Sequence, residues 1–164
     1  MIFIGIGANL PSKRFGAPKD TCEAACRALD ALTSLDIVAK SNWFESAPVP
    51  ASDQPWYING VVQVTTDLTP FDLLQTLHAI EADFGRVRSE RNAPRVLDLD
   101  VLAYNDLNLE GSQAQIPHPR LQNRAFVVLP LAQLAPRWVH PVTGQTLENM
   151  IANLPTDQVC RPLI

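Results

Sequence analysis

The order in which two hydrophobic periodicities alternate along the chain restricts its fold more than any other feature. Apolar side chains that recur at every second residue predict β-strands, and those that recur every three or four residues predict amphipathic helices. The chain shows these patterns in the order strand, helix, strand, strand, helix, strand. The predicted strands cover 2–7, 36–46, 56–66 and 96–103, and the predicted helices cover 20–32 and 70–84.

This order predicts an α+β fold. A βαββαβ series forms a ferredoxin-like sheet with its two helices on one face. Two further C-terminal helices are predicted over 119–134 and 146–154. Asp20, followed three residues later by Glu23, is a typical helix N-cap signature. The length of the chain predicts a single domain that covers residues 1–164.

The composition argues against several functional classes. Hydrophobic residues make up 46% of the chain and charged residues 18%, which argues against disorder. The net charge of -4 argues against a general nucleic-acid binder, whose affinity comes from neutralising phosphates. No apolar run approaches the roughly 20 residues of a membrane span. The first residues also lack the features of a signal peptide, so we expect a cytoplasmic protein without a nucleic-acid or membrane partner.

Two carboxylates in the last predicted strand, Asp98 and Asp100, are the strongest chemical signal. Alternate residues of a strand point the same way, so the two acids share a face, about 7 Å apart. Leu97, Leu99 and Val101 then point to the core. Aligned carboxylates suit Mg²⁺ and could hold two ions roughly 4 Å apart for phosphoryl transfer. A solvated strand face, or salt bridges to nearby arginines, is the other interpretation.

A dense group of arginines flanks the acidic strand. Between positions 86 and 124 lie six of the 13 Lys and Arg residues, and all six are arginine. A planar guanidinium binds phosphate oxygens through two hydrogen bonds at once. Arginines beside metal-binding carboxylates are the components of a metal–polyphosphate site, although a loop salt-bridged to the helices would have the same composition. The six are Arg86, Arg88, Arg91, Arg95, Arg120 and Arg124.

Several other side chains suit a flat polar heterocycle or a nucleotide. Tyr57 and Asn59 share one face of a predicted strand, where a ring can stack and an amide can hydrogen-bond. Phe126 could supply a second stacking face, and His118 is held between two prolines. Glu81 lies at the edge of the apolar stripe of its helix. Core packing for the aromatic rings and an ordinary loop position for the histidine remain open.

Two common phosphate-binding motifs do not occur in the sequence. There is no G-x-x-x-x-G-K-[ST] motif, so the chain is not a P-loop enzyme. Gly5 and Gly7 follow a strand, but Leu10 stands where a dinucleotide fingerprint has its third glycine. A dinucleotide site is therefore only weakly indicated.

Six short motifs together resemble the 6-hydroxymethyl-7,8-dihydropterin pyrophosphokinase family of folate biosynthesis. The resemblance extends over nearly the whole chain, and the combination of motifs is highly specific. The motifs are Gly5-Ile-Gly-Ala-Asn-Leu10, Asp53-Gln-Pro-Trp-Tyr-Ile-Asn59, Gly85-Arg-Val-Arg88, Pro94-Arg-Val-Leu-Asp-Leu-Asp100, Pro117-His-Pro-Arg-Leu121 and Arg124-Ala-Phe126.

This resemblance implies transfer of a diphosphate from ATP to the hydroxymethyl group of the pterin, with AMP as the leaving group. It also implies that the loop 86–95 closes over ATP. The resemblance further implies two Mg²⁺ ions as cofactors, with ATP and the pterin as the small-molecule partners of a monomer. The implied residues are Arg86, Arg95, Asp98 and Asp100 for catalysis, the same two aspartates for metal binding, Glu81, Arg88, Val101, His118 and Arg124 for ATP, and Ala47, Val49, Tyr57, Asn59 and Phe126 for the pterin.

Two other classes of protein remain open at this stage. A palm-like nucleotidyl transferase or cyclase would also use carboxylates and arginines, but it would not need a pocket of Tyr57, Asn59 and Phe126. A non-catalytic, ACT-like ligand-binding module would have no reason to keep the two aspartates and the arginines together.

Overall fold

The computed structural model describes residues 1–86 and 94–163, which form an antiparallel sheet and four helices. The strands are β1 (Ile2–Ala8), β2 (Leu35–Lys40), β3 (Phe44–Ser46), β4 (Tyr57–Thr66), β5 (Asp98–Tyr104), β6 (Leu109–Glu110), β7 (Gln115–Ile116) and β8 (Cys160–Pro162). The helices are α1 (Pro18–Asp30), α2 (Pro70–Asp83), α3 (Ala125–Leu134) and α4 (Leu147–Ala152).

The main sheet has six strands and follows the order β5-β1-β4-β3-β8, with β2 also paired to β4. Both β1 and β4 are central, and every pairing in the described part of the sheet is antiparallel. The pairing of β1 with β5 places Gly7 opposite Asp98 and Gly5 opposite Asp100. The acidic strand therefore lies beside residues that have no side chain.

The two faces of the sheet carry separate hydrophobic cores. On one face, α1 and α2 cover a core that includes Ile4, Leu29 and Leu77. On the other face, α3 and α4 cover a core around Phe3 and Val128. The two helices within the strand series thus share a face, and the two C-terminal helices cover the opposite face beside the pocket described below.

The prediction of one continuous strand over 36–46 was wrong, because the chain forms two short strands there. Between β2 and β3, the Ser41 hydroxyl accepts a hydrogen bond from the Val61 N–H at 2.9 Å, in place of a main-chain carbonyl. Trp43 packs so closely on β4 that a Cβ on Gly60 would lie 2.6 Å from its ring. These contacts with a distant strand interrupt the ladder.

Two predicted helix starts were also wrong. Helix α1 begins at Pro18, and its N-cap is Ala17, so Asp20 lies inside the first turn instead of capping it. Proline is tolerated in the first turn because its missing N–H would have no partner there. Helix α3 begins at Ala125, since a 3₁₀ turn at Leu121–Asn123 and an extended Arg124 precede it.

None of the helices within residues 1–86 and 94–163 combines the length and the apolar character that crossing a membrane requires.

Candidate active site

A pocket of about 200 Å³ lies at the face of the sheet that carries Asp98 and Asp100. Its floor comes from β1, β4 and β5, and its walls come from the β3–β4 connection and the segment that leads into α3. The pocket brings together ten of the predicted site residues. They are Ala47, Val49, Tyr57, Asn59, Arg95, Asp98, Asp100, His118, Arg124 and Phe126.

The two aspartates project into this pocket from the same face of β5. Leu97, Leu99 and Val101 are at most 5% exposed and belong to the opposite core, so the predicted alternation of the strand is confirmed. The glycines beside the acids leave room for other pocket residues. A Cβ on Gly7 would lie only 2.7 Å from the Asn59 amide oxygen.

Two arginines converge on one oxygen of Asp98. Arg86 donates to its Oδ1 at 2.8 Å, and Nη1 of Arg95 lies 3.0 Å from the same atom. Such charge-assisted contacts fix the direction of the carboxylate. The other side of the acidic pair faces the open pocket.

Glu81, on helix α2, forms an ion pair with Arg86. Its side chain, in a residue only 1% exposed, pairs with Arg86 and accepts a hydrogen bond from the Leu99 N–H at 2.8 Å. It is absent from the described residues that line the pocket. The carboxylate therefore connects α2 to β5 and orients the guanidinium that reaches Asp98.

Asp100 lies in an environment that disfavours its negative charge. Burial, together with the neighbouring carboxylates of Asp98 and Glu81, raises its pKa to about 7. A divalent cation would relieve this repulsion. The described residues contain no group of three His, Cys, Asp or Glu side chains placed to hold a metal. Two carboxylates on one strand fit Mg²⁺, which binds through few carboxylates and takes its other oxygens from water and phosphate.

His118 presents a neutral imidazole to the pocket. Burial, with Arg124 and Arg120 nearby, lowers its pKa to about 4. Its Nδ1 accepts the Arg120 N–H at 3.2 Å, so Nε2 carries the proton and can donate to an oxygen. The His118 main-chain N–H donates to the Leu102 carbonyl at 2.9 Å and anchors the residue to β5.

The residues predicted to hold a heterocycle line one part of the pocket. Asn59 is 6% exposed, and its Nδ2 donates to the Ser46 hydroxyl at 2.8 Å, which orients the amide. Tyr57 lies on the same strand, two residues away. Phe126 lies on the opposite wall with the Arg124 guanidinium carbon 5.3 Å from its ring centroid. Burial raises the pKa of Tyr57, so its hydroxyl stays protonated.

A second cavity of about 380 Å³ adjoins the first and shares Asp100 and His118 with it. Val101, which was predicted to lie near adenine, lines this second cavity. The residues from Gly111 to Ile116 form another of its sides. The predicted ATP residue Arg88 lies outside the described residues.

Sequence reasoning assigned no role to Asn9, although the residue belongs to one of the quoted motifs. Asn9 is fully buried, and its Oδ1 accepts the Arg95 N–H at 2.8 Å. Its Nδ2 donates to the Gln54 side chain and to the Pro55 carbonyl, both at 3.1 Å. The signal available in the sequence was an asparagine directly after a buried strand. Its partners, 45 to 86 residues away, were not visible there.

Comparisons with known proteins identify the family of the chain. The family model for 7,8-dihydro-6-hydroxymethylpterin-pyrophosphokinase (HPPK) matches residues 3–136. A 2-amino-4-hydroxy-6-hydroxymethyldihydropteridine pyrophosphokinase from Synechocystis sp. is 41% identical over 90% of this chain and 73% of its own. An enzyme of the same name from Pseudomonas aeruginosa is 38% identical over 98% of this chain and 95% of its own.

A solved structure extends the likeness to the fold. A Plasmodium falciparum HPPK-DHPS triple mutant superposes with a TM-score of 0.68 over 92% of this chain, at 15% sequence identity. The match spans 43% of that longer chain, and at this low identity it supports the fold alone. The family match covers most of the residues that build the pocket. The chain therefore belongs to the 7,8-dihydro-6-hydroxymethylpterin-pyrophosphokinase family.

Proposed function

We propose that the protein transfers a diphosphate group from ATP to the hydroxymethyl group of 6-hydroxymethyl-7,8-dihydropterin, as a pyrophosphokinase of folate biosynthesis. The observation that carries this proposal is one pocket in which two aligned carboxylates face guanidinium groups, beside an aromatic and amide site. Family membership supports the same activity.

In this reaction the hydroxymethyl oxygen attacks the β-phosphorus of ATP. The bond between that phosphorus and the oxygen bridging to the α-phosphate breaks, AMP leaves, and the hydroxyl proton is released. Asp98 and Asp100 would hold two Mg²⁺ ions in this proposal. When bound, such ions would supply positive charge that offsets the phosphate charge and polarises the reacting oxygens. Arg86 and Arg95 orient Asp98 and stabilise the charge that develops in the transition state.

The two substrates occupy neighbouring parts of the cleft. Tyr57 and Phe126 stack on the pterin, Asn59 hydrogen-bonds its edge, and the main chain near Ala47 and Val49 closes that side. His118 donates a hydrogen bond from its Nε2–H to ATP, and Arg124 binds the phosphates of ATP. Adenine lies near Val101 in the second cavity, while Glu81 acts through Arg86. Arg88 contributes from the loop 86–95 that closes over ATP. Closure of this loop would exclude water from the reacting groups.

The architecture is proposed to be ferredoxin-like. In that fold, the first and last strands of the βαββαβ series are neighbours, and the first also pairs with the third. The order β5-β1-β4, with β2 and β3 beyond β4, supports this assignment. We further propose that residues 1–164 act as one monomeric domain in the cytoplasm, where ATP and Mg²⁺ are supplied.

The test is to incubate the protein with ATP, Mg²⁺ and 6-hydroxymethyl-7,8-dihydropterin and to separate the products. We expect AMP and the pterin diphosphate in equal amounts, with neither formed when the pterin is omitted. ADP as the product would indicate transfer of a single phosphate. Release of free diphosphate would indicate a nucleotidyl transferase or cyclase, and either result would refute the proposal.

A further inference from the structure

The segment 158–163 lies beyond the residues that the family model matches, yet it contacts the pterin side of the pocket. Its strand β8 pairs with β3, and Cys160 lies opposite Ser46, the residue that orients Asn59. Immediately before β8, the Val159 carbonyl accepts a hydrogen bond from the Ala47 N–H at 3.0 Å. One wall of the pocket is thus held by the main chain of this segment.

A side-chain contact reinforces the same wall. Arg161 donates through Nε to the Glu45 carboxylate at 2.5 Å. The guanidinium carbon of Arg161 also lies 5.1 Å from the ring centroid of Trp56, which directly precedes Tyr57. Both ends of the β3–β4 connection therefore contact the C-terminal segment.

Gln158, the residue before Val159, reaches the opposite wall. Its Oε1 accepts the Ala125 N–H at 2.8 Å, and its Nε2 donates to the Asn123 carbonyl at 2.8 Å. These two bonds lie on either side of Arg124, which is two residues before Phe126. Arg124 is the N-cap of α3 and forms no side-chain capping bond within the described residues. Gln158 therefore supplies an acceptor for a main-chain N–H that a helix start leaves free.

Consecutive residues of one segment thus hold the two walls on which the pterin is proposed to lie. We propose that Gln158 is a positioning residue that sets the separation between Ala47 on one wall and Phe126 on the other. The residue does not touch the substrate, since it acts through Ala125 and the start of α3. This inference rests on the proposed function, because it concerns the pterin part of that site.

The test is the steady-state kinetics of Gln158→Met, which keeps the length of the side chain but removes both hydrogen bonds. We expect the KM for the pterin to rise roughly tenfold, as two ordinary hydrogen bonds would give. The KM for ATP should change less, because β5 holds much of the proposed ATP site independently of Gln158. Direct titration of the pterin should show the same loss of affinity.

A matched control is Gln133→Met. The Gln133 side chain also links α3 to a distant main chain, accepting the Asn42 N–H at 2.9 Å. It is not among the described residues that line the pocket. We expect this variant to keep the wild-type KM values, even where its thermal stability falls as much as that of Gln158→Met.

A second variant, Gln158→Glu, keeps an oxygen that accepts the Ala125 N–H and replaces the donor to the Asn123 carbonyl with a carboxylate oxygen, which cannot donate. Its KM for the pterin should rise about two- to threefold, as the loss of a single hydrogen bond would give. If Gln158→Met does not fold, this variant decides the question. The inference would be overturned if a folded Gln158 variant kept the wild-type KM for the pterin. It would also be overturned if the KM rose equally in Gln133→Met. Failure of the wild-type protein to form AMP would instead refute the proposed function.

Discussion

The two walls of the pocket are built in different ways. The acidic wall lies on the strand β5, whose neighbour β1 fixes the register of the acidic part along four consecutive pairs, from Asp98 to Val101, before the register shifts. The pterin wall consists of irregular segments, the β3–β4 connection and the approach to α3. Side chains from distant parts of the chain hold these segments together, as Asn9 and Gln158 illustrate. A regular strand places its side chains by local periodicity, whereas an irregular wall depends on long-range hydrogen bonds.

The largest effect is expected on the acidic wall, where no other described carboxylate can replace the pair. Asp98→Ala and Asp100→Ala should each lower kcat by roughly a thousandfold or more, since both metal positions depend on the pair. The fold should survive, because the lost side chains face the pocket. Steady-state kinetics and circular dichroism measure the two effects.

Asp36→Asn is a suitable control, since Asp36 is an exposed acid on β2, away from the pocket. It should retain the wild-type kcat. Near-normal turnover in either pocket variant would remove the metal assignment and, with it, the functional contrast between the walls.

A smaller effect is expected when the charge facing Asp98 is removed. Arg95→Ala should lower kcat by about a hundredfold and change the affinity for ATP much less, because its proposed role is in the transition state. Single-turnover kinetics with a separate ATP titration distinguish the two quantities. A loss confined to ATP affinity would assign Arg95 to ground-state binding.

Removal of a single long-range link should moderately lower the stability of the protein and its affinity for the pterin at the irregular wall. Asn9→Ala removes the side chain that joins the main chain of Arg95 to Gln54 and Pro55. Leaving a buried N–H without its acceptor costs about 1–3 kcal/mol. We expect that decrease in the free energy of unfolding in urea, together with a raised KM for the pterin. An unchanged KM would show that the wall does not need this link.

The smallest effect concerns pH, again at the irregular wall. The pKa of His118 is about 4 in the folded protein, below its ordinary value, so the unfolded chain binds the additional proton as the pH falls. In the metal-free protein, His118 should therefore contribute a loss of stability of about 1 kcal/mol between pH 6.5 and 4, opposite in sign to the contribution of Asp100, whose raised pKa favours the folded state as the pH falls. In urea unfolding, the stability of the wild-type protein relative to His118→Asn should fall by that amount over the same range. Parallel curves for the two proteins would contradict this cause.

The part of the site that could be predicted is the part with local periodicity. Alternation from Leu97 to Val101 predicted which side chains face the core and which face the pocket, and both faces are confirmed. Tyr57 and Asn59 follow the same rule on β4. The strand break after Lys40 could not be predicted, because Ser41 and Trp43 make their contacts with β4, about 20 residues away.

The sequence by itself determined the main strands and helices except for the break between β2 and β3, the shared face of Asp98 and Asp100, and membership of a pyrophosphokinase family. These properties depend on residue spacing and on motifs of adjacent residues. The tertiary structure alone decided that Glu81 orients Arg86 and that Gln158 reaches the start of α3. The physical reason is that a polar side chain whose partner lies far along the chain carries no periodic signal, and only folding brings the two within hydrogen-bond distance.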